Sequence, residues 1–371
     1  MTMPFFDCDL CHSKAPGFAP PCTVDRLLLR QSAKLRAVST FPTFFMHDAG
    51  LLSAIDIGSN SCLLEIGRVT DGRIVAQTCR KETIRLGGAL DAQGRLSTEA
   101  MERGWACLER FSALIATLPR CQVRAVGTQT LREATNRDIF LARGSAILGA
   151  PIEVIHGEEE ARLIYQGVSR LLPPSPCRRL VIDIGGRSTE LCLGRGFEAQ
   201  VTRSVELGSV AWALRYFADG GLRPEQFALA QASACAALRT VAAEFAPAHW
   251  DLAYGASGTA GAISKVLAAQ GGHAPGLIHR QGLDWLQAQL EQSGHSSQVH
   301  LAGLREELRP VIGGGISVMR AVFQLLEIEE MRVTQGALRH GLLYGLLQDP
   351  RQYPLRQYPL RQHPLTAAPG A

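Results

Sequence analysis

Two stretches of the chain are variants of one hairpin, and each contains an aspartate beside a turn of small residues. Residues 55–67 and 182–194 agree at seven of thirteen positions and lie 127 residues apart. In each copy a β-branched run ends on an aspartate, Asp56 in the first and Asp183 in the second. A carboxylate at the end of a buried strand is costly unless a positive charge meets it. A Gly/Ser turn leaves backbone N–H groups free to hold an anion. Two such hairpins facing each other predict a two-lobed phosphate site with a metal between the lobes.

A run of three glutamates at the start of a predicted helix supplies another candidate. Carboxylates in a first turn complement the helix macrodipole, which accounts for one or two of the three. On a helical wheel Glu159 lies opposite the apolar stripe, and Glu158 and Glu160 lie on its borders. Glu158 can pair with Arg162 four residues on, whereas Glu160 has no obvious local partner. The periodicity therefore makes Glu160 a candidate general base.

Two further motifs place polar residues where a strand gives way to a helix. Near the first, Arg132 offers a fork for phosphate at a helix N-terminus. The alternative for this segment is an N-cap at Thr130 with a capping-box partner at Glu133. The second motif comprises Ser257, Gly258 and Thr259. Each motif alone is weak, because glycine before a helix is common. With the two hairpins they indicate several loops that meet in one cleft.

The composition excludes several classes of protein. Of the 371 residues 46% are hydrophobic and 19% charged, as in a globular protein rather than a disordered one. Residues 50–347 carry 30 Lys and Arg against 29 Asp and Glu, so no basic surface for nucleic acid is expected. No apolar run reaches transmembrane length, and the N-terminus lacks the pattern of a secretion signal. We expect a cytoplasmic protein without nucleic-acid or membrane partners.

The elements needed to position these residues occur in the same order twice. Each half begins with hairpin strands and continues with helices, predicted for example at 97–118, 132–143 and 158–172. The last predicted helix, 335–347, is expected to pack back on the first lobe. The predicted organisation is a disordered leader or mis-assigned start at 1–49, domains at 50–175 and 176–347, and an extended Pro-containing repeat at 348–371.

Seven motifs, in this order, resemble those of the exopolyphosphatase and guanosine pentaphosphate phosphohydrolase family. The motifs are Asp56–Ser61, Thr130–Ala134 with Asn136, Gly157–Arg162, Asp183–Gly186 with Ser188–Glu190, Gly208–Val210, Ser257–Thr259 and Gly336–Arg339. The family belongs to the superfamily of actin, sugar kinases and acetate kinase. The resemblance therefore implies an α/β fold of two duplicated ribonuclease-H-like domains with the active site in the cleft between them.

The resemblance also implies an activity and the residues that carry it. The activity is metal-dependent release of terminal orthophosphate from inorganic polyphosphate or guanosine pentaphosphate (pppGpp), with Mg²⁺ or Mn²⁺ as the metal. Glu160 would position or deprotonate the attacking water, and Asp183 and Glu190, with Asp56 from the other lobe, would hold the metal. The residues implied to contact phosphate are Ser59, Asn60, Ser61, Arg132, Gly185, Gly186, Arg187, Ser188, Thr189, Ser257, Gly258 and Thr259. The expected partner is this substrate, and a homodimer is left open.

The chain departs from the family pattern at three places. Arg187 stands where the family usually has a third glycine, and a positive φ there would cost a non-glycine residue about 1–2 kcal/mol. Arg187 would then either add a phosphate contact or crowd the site. His340 replaces a usual glutamate. The chain also ends soon after the second lobe, so we expect it to lack the C-terminal helical domain of the long family members, which weakens a claim of processive degradation.

Two alternative functions remain at this point. A small-molecule kinase of the same fold would bind ATP and phosphorylate an acceptor, and the motifs around Arg132 and Glu160 argue against it. An alarmone-binding regulatory protein with little turnover is supported by Arg187 alone. The hairpins themselves are unequal, because Asp56 has Leu63 where Asp183 has Glu190. This asymmetry places the predicted metal on the second hairpin.

Overall fold

The computed structural model describes residues 50–349 except 119, 272 and 273. The predictions for the leader at 1–49 and for the repeat from 350 onward lie outside the described residues. Between these ends the elements form two β-sheets flanked by helices. The predicted boundary at 175/176 lies in the connection between the last helix of the first half and the first strand of the second, and the division into two domains stays a prediction.

The described residues of the first half form a five-stranded sheet with four α-helices. Its strands are β1 (Leu51–Ile57), β2 (Ser61–Thr70), β3 (Arg73–Thr83), β4 (Cys121–Gly127) and β5 (Ile152–Val154), in the order β3-β2-β1-β4-β5. Its helices are α1 (Thr98–Ile115), α2 (Gln129–Glu133), α3 (Arg137–Leu148) and α4 (Gly157–Leu171). The central β1 is apolar along nearly its whole length and is buried, as expected for a strand covered on both faces.

The second half repeats this arrangement with one added edge strand. Its strands are β6 (Arg178–Ile184), β7 (Thr189–Arg195), β8 (Glu198–Val205), β9 (Leu252–Gly255), β10 (Leu277–His279) and β11 (Glu330–Val333), in the order β10-β11-β9-β6-β7-β8. Its helices are α5 (Ser209–Tyr216), α6 (Pro224–Leu238), α7 (Gly258–Ala269), α8 (Arg280–Ser293), α9 (Ile312–Leu325) and α10 (Leu338–Gln348). Because β8-β7-β6-β9-β11 matches β3-β2-β1-β4-β5, the predicted duplicated α/β fold is confirmed.

The two hairpins are equivalent in register as well as in sequence. Asp56 lies directly opposite Leu63 on β2, and Asp183 lies directly opposite Glu190 on β7. Each hairpin also pairs with its third strand through a β-bulge at the same place, after Ile66 in the first copy and after Leu193 in the second. The asymmetry inferred from the sequence therefore lies at matched positions of the repeat.

Helices α4 and α10 connect the two sheets. One apolar cluster contains Leu52 of the first sheet, Val181 of the second, Leu163 of α4 and Leu342 of α10. Helix α10, the last helix of the described residues, thus packs on the first half, as predicted. The two helices approach so closely that a Cβ added at Gly341 would overlap the carbonyl oxygen of Leu163.

Replacing Gly341 by alanine is expected to lower the free energy of unfolding by about 2–3 kcal/mol, because the added methyl forces α4 and α10 apart. Gly261→Ala is the matched control, since Gly261 also lies inside a helix and a Cβ there has no neighbour within 4 Å among the described residues. That control is expected to be neutral or stabilising by about 0.5–1 kcal/mol. Chemical denaturation of both variants measures the difference, and equal stabilities would contradict the proposed contact.

The predicted helix 132–143 is wrong, because the structure breaks it into α2 and α3. The break is held by the buried Asn136, whose side chain accepts a hydrogen bond from the Leu96 N–H (2.9 Å) and donates one to the Leu96 carbonyl oxygen (3.0 Å). Ala134 is extended there, with ψ of 115°. The short strands β10 and β11 were not predicted from the sequence.

Candidate active site

The two hairpin turns have the same backbone geometry. In the first, the Gly58 N–H donates to the Ser61 carbonyl oxygen (3.0 Å); in the second, the Gly185 N–H donates to the Ser188 carbonyl oxygen (2.9 Å). The turns also face each other closely. A Cβ added at Gly186 would lie 2.8 Å from the Cβ of Ser59. The predicted meeting of the two hairpins at one site is therefore present, and only glycine fits at position 186.

Four carboxylates converge on this site from four elements. Asp56 ends β1, Asp183 ends β6, Glu190 begins β7 and Glu160 lies in the first turn of α4. Burial, together with the negative charge of Glu160, raises the pKa of both aspartates to about 7. Burial also raises the pKa of Glu190 well above its usual range, with Glu160 and Asp183 adding to the effect. The four carboxylates therefore lie within electrostatic reach of one another.

Glu160 is buried and held by Arg132. Arg132 Nη1 donates to Glu160 Oε2 at 2.7 Å and to the Ile155 carbonyl oxygen at 2.8 Å. Burial raises the pKa of Glu160, and the Arg132 contact opposes that rise. Of the three glutamates, Glu160, which the helical wheel left without a local partner, is the buried one. Glu158 is exposed and Glu159 is only partly buried. The expected pairing of Glu158 with Arg162 is wrong, since Arg162 binds Glu159 at 2.7 Å.

The other end of the Arg132 fork points to the second hairpin. Its Nη2 lies 4.0 Å from Glu190 Oε1 and, within residues 50–349 as described, is buried without a hydrogen-bond partner. Glu190 Oε1 accepts a hydrogen bond from Ser204 Oγ at 2.8 Å. Arg132 therefore stands between the glutamate of α4 and the glutamate of β7, with one donor group left for an anionic ligand.

The donor set fits a hard divalent cation such as Mg²⁺ or Mn²⁺. Asp183 and Glu190 are carboxylates opposite each other in register, and burial, with the nearby charge of Glu160, raises the pKa of each. In the part of the chain that the structure describes, no three His, Cys, Asp or Glu side chains form a metal cluster by themselves. Mg²⁺ commonly takes one or two carboxylates and fills its other positions with water and phosphate oxygens. The predicted ligands Asp183, Glu190 and Asp56 stay predictions.

Several residues predicted to contact phosphate hold the turns in shape. Thr189 Oγ1 donates to the Leu207 carbonyl oxygen, Thr259 Oγ1 donates to the Ile184 carbonyl oxygen, and Ser257 Oγ caps α7 by accepting from the Ala260 N–H. In the first turn Thr130 Oγ1 donates to Ser59 Oγ at 2.8 Å. Ser61 and Ser188 are buried in the two turns. Direct contact of these groups, Asn60, Gly185 and Gly258 with phosphate stays a prediction.

Arg187 does not have the backbone conformation considered for it. Among the described non-glycine residues, positive φ occurs at Asp71, Arg85 and Glu327, so the condition for strain at Arg187 is not met. Its guanidinium instead bonds Glu133 Oε2 from Nε (2.8 Å) and the Gly87 carbonyl oxygen from Nη1 (2.8 Å). The side chain thus bridges from the second turn to the first half of the chain.

His340 is a neutral part of the first turn of α10. Its Nδ1 accepts a hydrogen bond from the Ala337 N–H at 3.2 Å, which requires an unprotonated nitrogen. Burial lowers the pKa of His340 to about 3, so the acceptor is available throughout the physiological range. The imidazole thereby takes the helix-capping role that a glutamate side chain can also fill.

Two cations near the carboxylates were missed as site residues. Arg339 lies in one of the quoted motifs and binds the buried Glu65 from Nε at 3.1 Å; its charge lowers the pKa of both Asp56 and Asp183. Lys81 lowers the pKa of Asp56, and its Nζ lies 3.8 Å from the place a Cβ of Gly258 would take. No sequence pattern distinguishes Lys81 from the other charged residues of β3.

Comparison with family models decides the relationship. The model of the Ppx/GppA phosphatase family matches residues 66–349, more than half of the chain. The chain belongs to this family. The resemblance inferred from the seven motifs is thus confirmed, and the matched region contains α4 and the second turn.

Curated relatives and solved structures agree with this assignment. The chain is 41% identical over 314 residues to a guanosine-5'-triphosphate,3'-diphosphate pyrophosphatase of Vibrio parahaemolyticus, covering 84% of this chain and 63% of the relative. The corresponding protein of Vibrio vulnificus is 42% identical with the same coverage. The chain therefore spans less than two thirds of the length of these relatives.

Among solved structures, an exopolyphosphatase from Cytophaga hutchinsonii has the same fold, with a TM-score of 0.72 and 22% identity over 80% of this chain and 98% of that one. An exopolyphosphatase-like protein of 26% identity gives a TM-score of 0.71 and covers 81% of this chain and 98% of that one. Within the described residues no helix is both long and apolar enough to cross a membrane.

The raised pKa values predict how stability depends on pH. Because the folded-state pKa of Asp56 and Asp183 is about 7, against a usual 3.8, the folded protein binds their protons more tightly than the unfolded chain does. Their contribution is therefore most favourable below about pH 4 and is lost as pH rises through 7. In EDTA, we expect Tm to fall by about 5 °C between pH 5 and pH 8.

Mg²⁺ and Asp183→Asn are the two controls for this prediction. The cation is expected to reduce the fall in Tm, because it compensates the ionised carboxylates. The variant removes one titrating group, so the dependence of Tm on pH is expected to be weaker. Thermal denaturation, followed by circular dichroism, measures Tm for the protein in EDTA, the protein with Mg²⁺ and the Asp183→Asn variant. A Tm in EDTA that rises between pH 5 and pH 8 would contradict the expected carboxylate cluster.

Proposed function

We propose that this chain is a phosphohydrolase that releases the terminal orthophosphate of pppGpp, with inorganic polyphosphate as a second substrate. The observation that carries the proposal is the buried Glu160, held by one end of the Arg132 fork between two Asp-containing turns. The relatives named as pppGpp pyrophosphatases favour the nucleotide. A structural relative of 26% identity is named as an exopolyphosphatase-like protein, which keeps polyphosphate in the proposal.

The chain's own residues bind the terminal phosphate and take a proton from the attacking water. The two turns hold the terminal phosphate, with backbone N–H groups directed at its oxygens. Glu160 accepts a proton from the attacking water while the water oxygen forms a bond to the terminal phosphorus. The bond from that phosphorus to the bridging oxygen breaks, and its electrons leave with ppGpp or with the shortened polyphosphate. Glu160 then returns its proton to solvent.

Arg132 makes this assignment electrostatically consistent. Glu160 must be ionised to accept a proton, and burial alone favours its protonated form. The Arg132 contact lowers the pKa of Glu160 and so opposes the effect of burial. The unpartnered Nη2 of the same fork can meet charge that accumulates on the phosphate oxygens.

A divalent cation would neutralise phosphate oxygens during this transfer. We propose that Asp183 and Glu190 hold it, with Asp56 contributing from the first turn. Asp183 and Glu190 face each other across β6 and β7, which supports assigning the cation to the second hairpin. Mg²⁺ and Mn²⁺ both prefer such oxygen ligands.

The test is phosphate release by the purified chain from pppGpp and from polyphosphate in the presence of Mg²⁺. We expect orthophosphate and ppGpp as the products of the first reaction. Tight pppGpp binding without phosphate release would overturn the proposal in favour of the alarmone-binding alternative. Phosphate transfer to an added small acceptor would favour the kinase alternative. Cytoplasmic location, the homodimer and the absence of nucleic-acid partners remain predictions from the sequence.

A further inference from the structure

A continuous line of polar contacts joins the second turn to Glu160. At one end Arg187 bonds Glu133 Oε2 from Nε at 2.8 Å and from Nη2 at 2.5 Å. Glu133 Oε1 accepts from Gln129 Nε2 at 2.8 Å. Gln129 Oε1 accepts from Arg132 Nε at 2.8 Å, and Arg132 Nη1 reaches Glu160. Four contacts in series thus connect residue 187 to the proposed general base.

The three middle members are brought onto one side of α2 by helical spacing. Gln129, Arg132 and Glu133 stand three and four residues apart, so their side chains are neighbours. The Gln129 amide has one orientation that serves both partners: its NH₂ group faces the Glu133 carboxylate and its oxygen faces the Arg132 guanidinium. In the reverse orientation the amide oxygen would face the Glu133 carboxylate and the NH₂ group would face the Arg132 guanidinium. The charges of Glu133 and Arg132 therefore fix the orientation of the amide.

Arg187 also connects this series of contacts to the loop at Gly87 in the first half of the chain. Its Nη1 donates to the Gly87 carbonyl oxygen, and the neighbouring Gly87 N–H donates to the Ser59 carbonyl oxygen at 2.7 Å. Arg187 and Glu133 are mostly buried, with 20% and 26% of their side-chain surfaces exposed. All three bonded guanidinium nitrogens therefore face protein groups rather than the space between the turns.

We propose that Arg187 is a positioning residue, which holds Arg132 on Glu160 through Glu133 and Gln129 and thereby links the second turn to the proposed general base. This inference rests on the proposed function for its kinetic consequences. It assigns to Arg187 a role through other residues, in place of a direct phosphate contact or a crowding defect.

A kinetic double-mutant cycle tests the proposal. Arg187→Ala is expected to lower kcat for phosphate release about tenfold, with KM changed less than about twofold, because ground-state binding does not use the residue. In a Glu133→Ala background the same replacement is expected to have little further effect, since the line is already interrupted. Arg187→Lys keeps one bond to Glu133, and its kcat is expected to lie between those of the wild-type protein and Arg187→Ala. Arg162→Ala, on the outer side of α4, is the matched control.

Other kinetic outcomes would overturn the proposal. A raised KM with unchanged kcat would make Arg187 a direct phosphate ligand. Losses that multiply in the double variant would show that Arg187 and Glu133 act independently. A gain in rate from Arg187→Ala would mark the arginine as a defect.

A measurement that needs no turnover separates this inference from the proposed function. The Nε–H of Arg132 can be identified by NMR as the arginine signal lost in Arg132→Lys. We expect its exchange with solvent to accelerate about tenfold in Arg187→Ala and in Glu133→Ala, because Gln129 loses the partner that fixes it. If the wild-type chain releases no phosphate from either substrate, the proposed function fails while this signal still decides the inference. Unchanged exchange in Arg187→Ala would overturn it.

Discussion

Replacing Glu160 by glutamine is expected to lower kcat for phosphate release by about 10³-fold, within the range known for loss of a general base. The glutamine keeps the size of the side chain, and its oxygen can still accept a hydrogen bond from Arg132 Nη1. The loss therefore isolates the ability to take a proton from water. KM is expected to change little, because Glu160 contributes to the transition state more than to substrate binding. Initial rates with pppGpp measure both constants.

Glu159→Gln is the matched control for this variant. Glu159 precedes Glu160 in the same turn of α4, but it binds Arg162 on a partly exposed surface. Its replacement is expected to leave kcat within about twofold, as for an ordinary surface ion pair. A loss of less than threefold in Glu160→Gln would contradict the assignment and direct attention to Asp183 or Glu190.

Much of the fold could be predicted because it depends on local pattern and on repetition. The β-branched runs and the matched hairpins placed β1, β2, β6 and β7, and the boundary predicted at 175/176 falls between α4 and β6. The helical period of α4 was enough to distinguish Glu160 from its two neighbours. Each of these inferences needs only residues that are close in sequence.

The parts that could not be predicted depend on distant contacts. Asn136 ends α2 by bonding the backbone of Leu96, forty residues earlier, and no local propensity signals that break. Arg339 reaches Glu65 across 274 residues of sequence. The role of Arg187 is another case, since its partner Glu133 lies on a helix of the other half. The sequence identified Arg187 as unusual, but it could not show which groups the guanidinium contacts.

Replacing Gly208 by alanine is expected to reduce phosphate release by at least about 10²-fold, the scale at which misplacement of catalytic groups by about 1 Å acts. A Cβ at this position would overlap the backbone nitrogen of Arg187 and the carbonyl carbon of Gly186. These are main-chain atoms of the second turn, so the turn itself must move. The φ of Gly208 is −146°, which alanine adopts freely, so the effect comes from lack of space rather than from strain.

The displacement has a defined direction and a matched control. The Ser209 and Val210 N–H groups bond the carbonyl oxygens of Gly185 and Gly186, so an added methyl at 208 pushes the turn away from the start of α5. Gly88→Ala adds the same methyl where no described atom lies within 4 Å, and it is expected to keep full activity. Circular dichroism verifies that both variants fold, and their rates are then compared. Full activity in Gly208→Ala would show that the second turn tolerates this shift and that its position does not set the geometry of the reaction.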